Sequence, residues 1–240
     1  MKICILHIGH YNPDEKSEHP PSPERFKTAL RPHLPNAAWT VVSAVTGELP
    51  DPSSFDVYLI TGGKYSVFER YDWQDRLFDF IRVLHERRIL LVGICYGHQA
   101  IAHALGGKVS RSEKGWGIGL MPVNVVRGTR WAVQSSGVML HAMHQDQVTA
   151  LPEGGVVFLA SDFCPISGFT VGDHFLAIQQ HPDFTPALNR DLIAKRKDRI
   201  GRRAEMGLES LVGQDDTETS VGWIADFILF SGAWKTTRAC

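Results

Sequence analysis

A cysteine flanked by two glycines is the first feature of this sequence that could do chemistry. Cys95 follows the apolar run 89–94, with Gly93 two residues before it and Gly97 two residues after it. This spacing is typical of a nucleophile elbow, in which small flanking residues permit a sharp turn from a strand into a helix. The helix N-terminus then favours a negative charge on the sulfur. The sequence predicts a nucleophilic Cys95, the alternative being a buried structural cysteine between two packing glycines.

A nucleophilic cysteine needs a base, and His181 is the histidine best placed to serve. The chain has 11 histidines, so the residue type alone says little. His181 follows a strand-like run, however, and should lie on the same edge of a parallel sheet as Cys95. Asp183, two residues later, can orient the imidazole through Nδ1 as the third member of a triad. The same residues also fit a histidine in a polar loop followed by a helix that Asp183 caps.

The elements that must position these residues alternate between strand and helix in the first half of the chain. The run 89–94 is apolar without alternation, as expected for a central parallel strand covered on both faces. This order predicts an α/β fold with a doubly wound, mostly parallel central sheet and helices on both faces. The expected elements are strands at 1–8, 39–45, 55–60 and 89–94, and helices at 26–30, 73–87 and from 97 to the glycine pair 106–107.

The second half of the chain predicts shorter strands and two further helices. The strands are expected at 118–126, 137–142, 155–160 and 174–180, and the helices at 186–200 and 221–230. A length of 240 residues fits one α/β domain. We therefore expect a single domain over 1–240, with 204–240 as a C-terminal helical extension over the sheet.

Five stretches of the chain, in order and spacing, resemble the class I glutamine amidotransferases. They are the G-x-C-x-G-x-Q elbow at 93–99, a glycine-rich oxyanion strand at 60–67, a helix exit at 105–109, an H-x-D-x-V-x-x-L-P stretch at 144–152 and a Q-x-H-P-E-like block at 179–183. The resemblance covers nearly all of 1–190. It implies the fold expected above and an enzyme. The amine that the enzyme releases stays open.

The resemblance implies a role for each matched residue. Cys95, His181 and Asp183 would form a catalytic triad, and the backbone N–H groups of Gly63 and Tyr96 would form the oxyanion hole. Four further residues would line the substrate pocket: Gly62, Gln99, His144 and Asp146. His98 and His103 on the elbow helix are interpreted as packing or surface residues.

Two departures from the family pattern stand out. The family usually has glutamate where this chain has Asp183, and the shorter carboxylate must approach the imidazole more closely. The stretch 204–240 carries no family motif. No cofactor or metal ion is expected, and the remaining thiols, Cys4, Cys164 and Cys240, should be free and without a catalytic role.

The overall composition limits the partners. The formal net charge is -1, which gives no electrostatic reason to expect nucleic acid or an anionic membrane. No run approaches the roughly 20 apolar residues of a membrane span. The first eight residues do not resemble a signal peptide, so a cytoplasmic location is expected.

The predicted reaction is hydrolysis of the γ-amide of glutamine or of a γ-glutamyl compound, through a γ-glutamyl thioester. In one reading the enzyme releases ammonia for a synthase, and that synthase would be a separate chain because this sequence has no G-x-x-x-x-G-K-[ST] motif. The other reading, which we favour, is a free-standing γ-glutamyl hydrolase in which the segment 9–25 narrows the pocket around a substrate larger than glutamine. The alternative to both is a catalytically silent regulatory or binding protein on the same fold.

Overall fold

The computed structural model of the chain describes residues 1–12 and 18–236, with side chains up to 231, so Cys240 lies outside the described residues. The helices are α1 Ser22–Leu30, α2 Asp72–Glu86, α3 Tyr96–Ala104, α4 Pro186–Lys195, α5 Lys197–Ile200, α6 Arg203–Ser210 and α7 Thr217–Thr236. The strands are β1 Lys2–His7, β2 Ala38–Ser43, β3 Val57–Ile60, β4 Leu90–Ile94, β5 Lys108–Arg111, β6 Gly117–Val125, β7 Ser135–His144, β8 Asp146–Ala150, β9 Gly155–Ala160, β10 Gly168–Val171 and β11 Phe175–Ile178.

The main sheet of the described residues has nine strands in the order β2-β1-β3-β4-β11-β10-β9-β6-β7. Neighbouring strands pair in parallel from β2 to β11. They pair antiparallel from β11 to β7. Followed across the sheet, only β10 and β6 run opposite to β1, so the prediction of a mostly parallel α/β sheet is confirmed.

The parallel strands are buried on both faces because their alternate side chains enter two different hydrophobic clusters. Ile5 and Leu59 point to one face, which α1 and α7 cover. Leu6 and Ile60 point to the other, which α2 and α3 cover. Each fully buried aliphatic side chain contributes about 1.5–3 kcal/mol, so this double burial holds the strand ends in a rigid frame.

The stretch 186–200 is helical as predicted, but it forms two helices, because α4 ends at Lys195 and α5 begins at Lys197. Arg196 between them has φ -115° and ψ 11°, outside the helical range. Ile193 and Ile200 nevertheless pack in the same cluster, so the apolar spacing is preserved across the break. A pattern of buried residues therefore could not reveal it. The short strands β5, β8 and β10 also lay outside the predicted elements.

The stretch without a family motif contains α6 and α7. α6 lies against β6 at a close contact, where a Cβ on Gly119 would come within 2.4 Å of the main-chain oxygen of Gly207. Leu120 N donates to Ser210 Oγ at 2.9 Å at the same contact. Among the described residues, no helix combines the length and apolarity that a membrane span requires. That the whole chain forms one domain stays a prediction.

Candidate active site

The turn between β4 and α3 places Cys95 in an unusual backbone conformation. Cys95 has φ 52° and ψ -98°, and residues other than glycine rarely adopt a positive φ. Its N–H donates to the carbonyl of Ile178 at 2.9 Å, and its own carbonyl accepts from Gln99 N at 3.1 Å, which begins α3. Backbone strain of this kind is concentrated at functional sites, where the surrounding structure maintains it.

Gly93 and Gly97 are required by the packing of this turn. A Cβ on Gly93 would lie 2.5 Å from the main-chain oxygen of Gly97, and a Cβ on Gly97 would lie 2.5 Å from the oxygen of Ile60. Both distances are far below van der Waals contact and involve backbone atoms. The elbow therefore depends on glycine at both positions.

His181 comes from the strand beside the elbow. β11 pairs with β4 so that Ile178 lies opposite Ile94, and His181 follows three residues later. A Cβ on Gly62 would lie 2.7 Å from His181 Cε1 and 3.4 Å from Cys95 Cβ. Because Gly62 has no side chain, there is room for the side chains of Cys95 and His181 beside it.

The imidazole of His181 is held on its edge and on its face. Nδ1 lies 3.2 Å from Asp183 Oδ1, and the ring stacks on Phe184 with centroids 3.9 Å apart. The interpretation of Asp183 as a helix cap is wrong, because Thr185 is the N-cap of α4 and its Oγ1 accepts from Leu188 N at 3.2 Å. The carboxylate of Asp183 is instead turned to His181.

The charged neighbours of His181 and Asp183 shift the pKa values of both residues. Burial alone would lower the pKa of His181, but the negative charge of Cys95 and the hydrogen bond with Asp183 raise it to about 9. Burial alone would raise the pKa of Asp183, but the Arg25 guanidinium and His181 lower it to about 2. The arrangement therefore favours the protonated form of His181 beside the ionised carboxylate of Asp183 near neutral pH.

A small cavity of about 60 Å³ borders Cys95 and Tyr96 and is also lined by Gln99, His144 and Asp146. Gln99 Nε2 donates to the main-chain oxygen of Asp146 at 2.9 Å and to Gln179 Oε1 at 3.0 Å. His144 Nδ1 lies 3.1 Å from the same oxygen of Asp146. Burial lowers the pKa of His144 to about 4, so its ring is neutral at pH 7.

A larger cavity of about 390 Å³ adjoins the small one and is lined by His181, Gly62 and Gly63. Gly63, Lys64 and Tyr65 line both cavities. Part of the wall of the larger cavity is apolar: Met143, Phe184, Leu188 and Leu192. The predicted oxyanion segment therefore lies between two spaces of very different size.

Three residues with contacts at the site were missed from the sequence. Gln74 on α2 is buried, and its Nε2 donates to the carbonyl of Ser66 at 2.8 Å and to the hydroxyl of Tyr96 at 2.9 Å. Ser22 and Arg25 on α1 bind Asp183. The departure from the family's usual glutamate at Asp183 indicated that this side of the site would differ, but it did not identify the partners. His98, interpreted as packing or surface, is fully buried.

Comparison with known proteins agrees with the motifs. The model of the family described as glutamine amidotransferase class-I matches residues 40–197. Gamma-glutamyl peptidase 3 of Arabidopsis thaliana is 30% identical over 172 residues, covering 68% of each chain. Gamma-glutamyl peptidase 4 of the same plant is 32% identical over 171 residues, covering 68% of this chain and 66% of its own. The chain thus spans about two thirds of the length of these relatives.

More distant matches include a longer sequence relative and several solved structures. The GMP synthase of Azoarcus sp. is 29% identical over 147 residues, which cover 57% of this chain and 27% of that protein. Among solved structures, a glutamine amidotransferase from Methylobacillus flagellatus superposes with a TM-score of 0.75 at 18% identity, covering 97% of this chain and 94% of its own. One from Thermotoga maritima superposes with a TM-score of 0.74 at 19% identity, covering 94% and 98%. At these identities the superpositions establish the fold.

Proposed function

Because this chain belongs to the class-I glutamine amidotransferase family, we propose that it hydrolyses the γ-amide of a γ-glutamyl compound through a thioester on Cys95. The γ-glutamyl peptidase relatives support a peptide-like substrate. The GMP synthase relative supports glutamine itself. A separate synthase chain would be the partner in the second case.

The first half of the reaction is acyl transfer to sulfur. The Cys95 thiolate attacks the γ-carbonyl carbon, a C–S bond forms, and the carbonyl electrons move to oxygen. The N–H groups of Gly63 and Tyr96 stabilise that oxyanion. As the carbonyl re-forms, the C–N bond breaks and the His181 imidazolium donates its proton to the leaving amine. Asp183 holds the imidazole in the orientation that this transfer requires.

The second half returns the enzyme to its starting state. Neutral His181 accepts a proton from water, and the oxygen attacks the thioester carbonyl carbon. The C–S bond breaks, glutamate leaves, and the thiolate again faces an imidazolium. The small cavity with Gln99, His144 and Asp146 is the proposed site for the glutamyl portion.

The larger cavity is the observation that favours a free-standing γ-glutamyl hydrolase over an ammonia-supplying subunit. Ammonia as the leaving group needs almost no space, whereas about 390 Å³ accommodates an amino acid or dipeptide. Among the described residues of the segment 9–25, those that line this cavity are Gly9, His10, Pro21, Ser22 and Arg25. We propose that this cavity receives the leaving amine.

Steady-state hydrolysis by the isolated chain tests the proposal. We expect γ-glutamyl dipeptides with apolar second residues to turn over at about 1 per second or faster, and with a higher kcat/KM than glutamine. Negligible turnover of every γ-glutamyl compound, rescued by adding a synthase, would instead indicate an ammonia-supplying subunit. Negligible turnover under all conditions would indicate a catalytically silent protein.

A cavity-filling variant sharpens the test. Leu192→Trp should lower kcat/KM for γ-glutamyl dipeptides by about tenfold or more while changing that for glutamine much less, because only the larger substrate needs the cavity. Leu208→Trp is the matched control, since Leu208 packs in the same cluster and does not line this cavity. An equal loss on both substrates would count against this use of the cavity.

A further inference from the structure

The carboxylate of Asp183 is held from outside its own motif, by the first helix of the chain. Arg25 Nη2 and Nε donate to Asp183 Oδ2 at 2.7 and 3.1 Å, and Ser22 Oγ donates to the same oxygen at 3.1 Å. Arg25 Nε also lies 3.0 Å from the main-chain oxygen of Asp183. We infer that Arg25, assisted by Ser22, is a positioning residue that fixes Asp183 against His181; this inference rests on the proposed function.

Burial makes these bonds necessary. The Asp183 side chain is 1% exposed and that of Arg25 is 17% exposed. A carboxylate this deeply buried is costly unless each oxygen is paired. Oδ1 faces His181 at 3.2 Å and Oδ2 receives Arg25 and Ser22, so the two oxygens have distinct partners. The carboxylate cannot rotate without losing bonds on both sides.

The same guanidinium also restrains the face of the His181 imidazole, through contact with Phe184. The Arg25 guanidinium carbon lies 5.6 Å from the ring centre of Phe184, a cation–π distance. Phe184 in turn stacks on His181. Arg25 Nη1 donates to the carbonyl of Pro20 at 2.6 Å, which restrains the guanidinium itself. One side chain thus restrains His181 through its hydrogen-bonded edge and through its stacked face.

An arginine suits this task because the carboxylate is short. Aspartate has one methylene fewer than the glutamate usual in the family, so Oδ1 reaches His181 only while the backbone and Oδ2 are held in place. The planar guanidinium fork binds Oδ2 and the main-chain oxygen together, which a single ammonium cannot do with the same geometry. Ser22, the first residue of α1, adds the positive end of a helix dipole.

Arg25 is the permanent charge among the groups that face Asp183. The titratable neighbours are His181, His141 on β7 and His7 at the end of β1, each of which interacts electrostatically with Asp183. Burial lowers the pKa of both His7 and His141, so neither supplies a stable positive charge at neutral pH. Removal of Arg25 should therefore favour protonation of Asp183 at higher pH.

The test compares Arg25→Gln, Arg25→Lys and Ser22→Ala with Arg31→Gln, an exposed arginine at the end of the same helix. Two readouts are needed. The first is kcat and KM against pH with glutamine and a γ-glutamyl dipeptide. The second is the rate at which iodoacetamide alkylates Cys95 against pH, followed by mass spectrometry of the Cys95 peptide, which requires no substrate.

We expect Arg25→Gln to lower kcat by about tenfold to a hundredfold, with KM for glutamine changed much less. The acid limbs of the kcat and alkylation profiles should both move to higher pH. Arg25→Lys should keep the acid limbs near their wild-type position while kcat falls less than in Arg25→Gln. Ser22→Ala, which removes one neutral donor and is the variant to rely on should Arg25→Gln not fold, should lower kcat by a few-fold.

Two outcomes separate the inference from the proposed function. If the wild type hydrolyses γ-glutamyl compounds but Arg25→Gln and Ser22→Ala both match Arg31→Gln in kcat and acid limb, the positioning role is wrong and the proposed function stands. If the wild type hydrolyses nothing but Arg25→Gln still moves the acid limb of Cys95 alkylation, the positioning role stands and the proposed function is wrong.

Discussion

The two sides of the candidate active site are built in different ways. On the elbow side, the conformation of Cys95 depends on Gly93 and Gly97, both within two residues, and on the strand next to β4. On the base side, Asp183 depends on Ser22 and Arg25, which are 161 and 158 residues away in the chain. The difference teaches that the proposed nucleophile is positioned mainly by local backbone geometry, whereas the proposed base is positioned by distant side chains.

Replacement of Cys95 should have the largest effect. Cys95→Ala removes the only proposed nucleophile, so hydrolysis should fall by at least about 10⁴-fold and labelling by a glutamine-analogue electrophile should disappear. Cys164→Ala is the control, because Cys164 is buried and burial raises the pKa of its thiol to about 11. Labelling that survives Cys95→Ala but is lost in Cys164→Ala would overturn the assignment.

Replacement of Asp183 tests the base side through its pH dependence. The pKa of His181 is raised to about 9, so the imidazolium persists through neutral pH and is lost as the pH rises through about 9. The basic limb of kcat/KM in the wild type should therefore lie near pH 9. Asp183→Asn removes an anion that raises this pKa, so the basic limb should move to lower pH and kcat should fall by about 10²- to 10⁴-fold.

The matched observation for Asp183→Asn is the imidazole NMR titration of His181 in both proteins. A lower pKa of His181 in the variant, together with the loss of kcat, agrees with an orienting carboxylate. An unchanged basic limb and an unchanged kcat would show that Asp183 is not the third member of the triad.

A methyl group on the elbow should have a smaller effect on rate, of about a hundredfold or more. Gly97→Ala places a Cβ 2.5 Å from the main-chain oxygen of Ile60, so the turn must shift and misplace Cys95. Gly222→Ala on α7 is the matched helical control, since its Cβ would have no neighbour within 4 Å. That control should keep full activity and gain about 0.5–1 kcal/mol in free energy of unfolding. Equal activity of the two variants would contradict the local view of the elbow.

The sequence by itself determined the elements that have local signals. The glycine spacing around Cys95 predicted a strand-to-helix turn, and an uninterrupted apolar run predicted the buried strand β4 before it. Both signals lie within about ten residues and follow from backbone sterics and burial, so no knowledge of the rest of the chain was required. The order and spacing of the family motifs along the chain likewise identified the candidate site residues.

The tertiary structure decided what depends on contacts between distant segments. Thr185 caps α4, and Asp183 instead turns to His181 with its other oxygen held by Arg25 and Ser22. Arg25 and Ser22 reach Asp183 because the fold brings α1 beside the residues that follow β11. The break at Arg196 leaves the burial of Ile193 and Ile200 intact and so leaves no trace in the hydrophobic pattern. The larger cavity lies where the predicted oxyanion segment, the first loop and α4 converge. The smaller cavity lies between that segment, the elbow and the turn from β7 to β8. The shapes of the cavities depend on which distant segments the fold brings together, and the spacing of residues along the chain does not reveal those contacts.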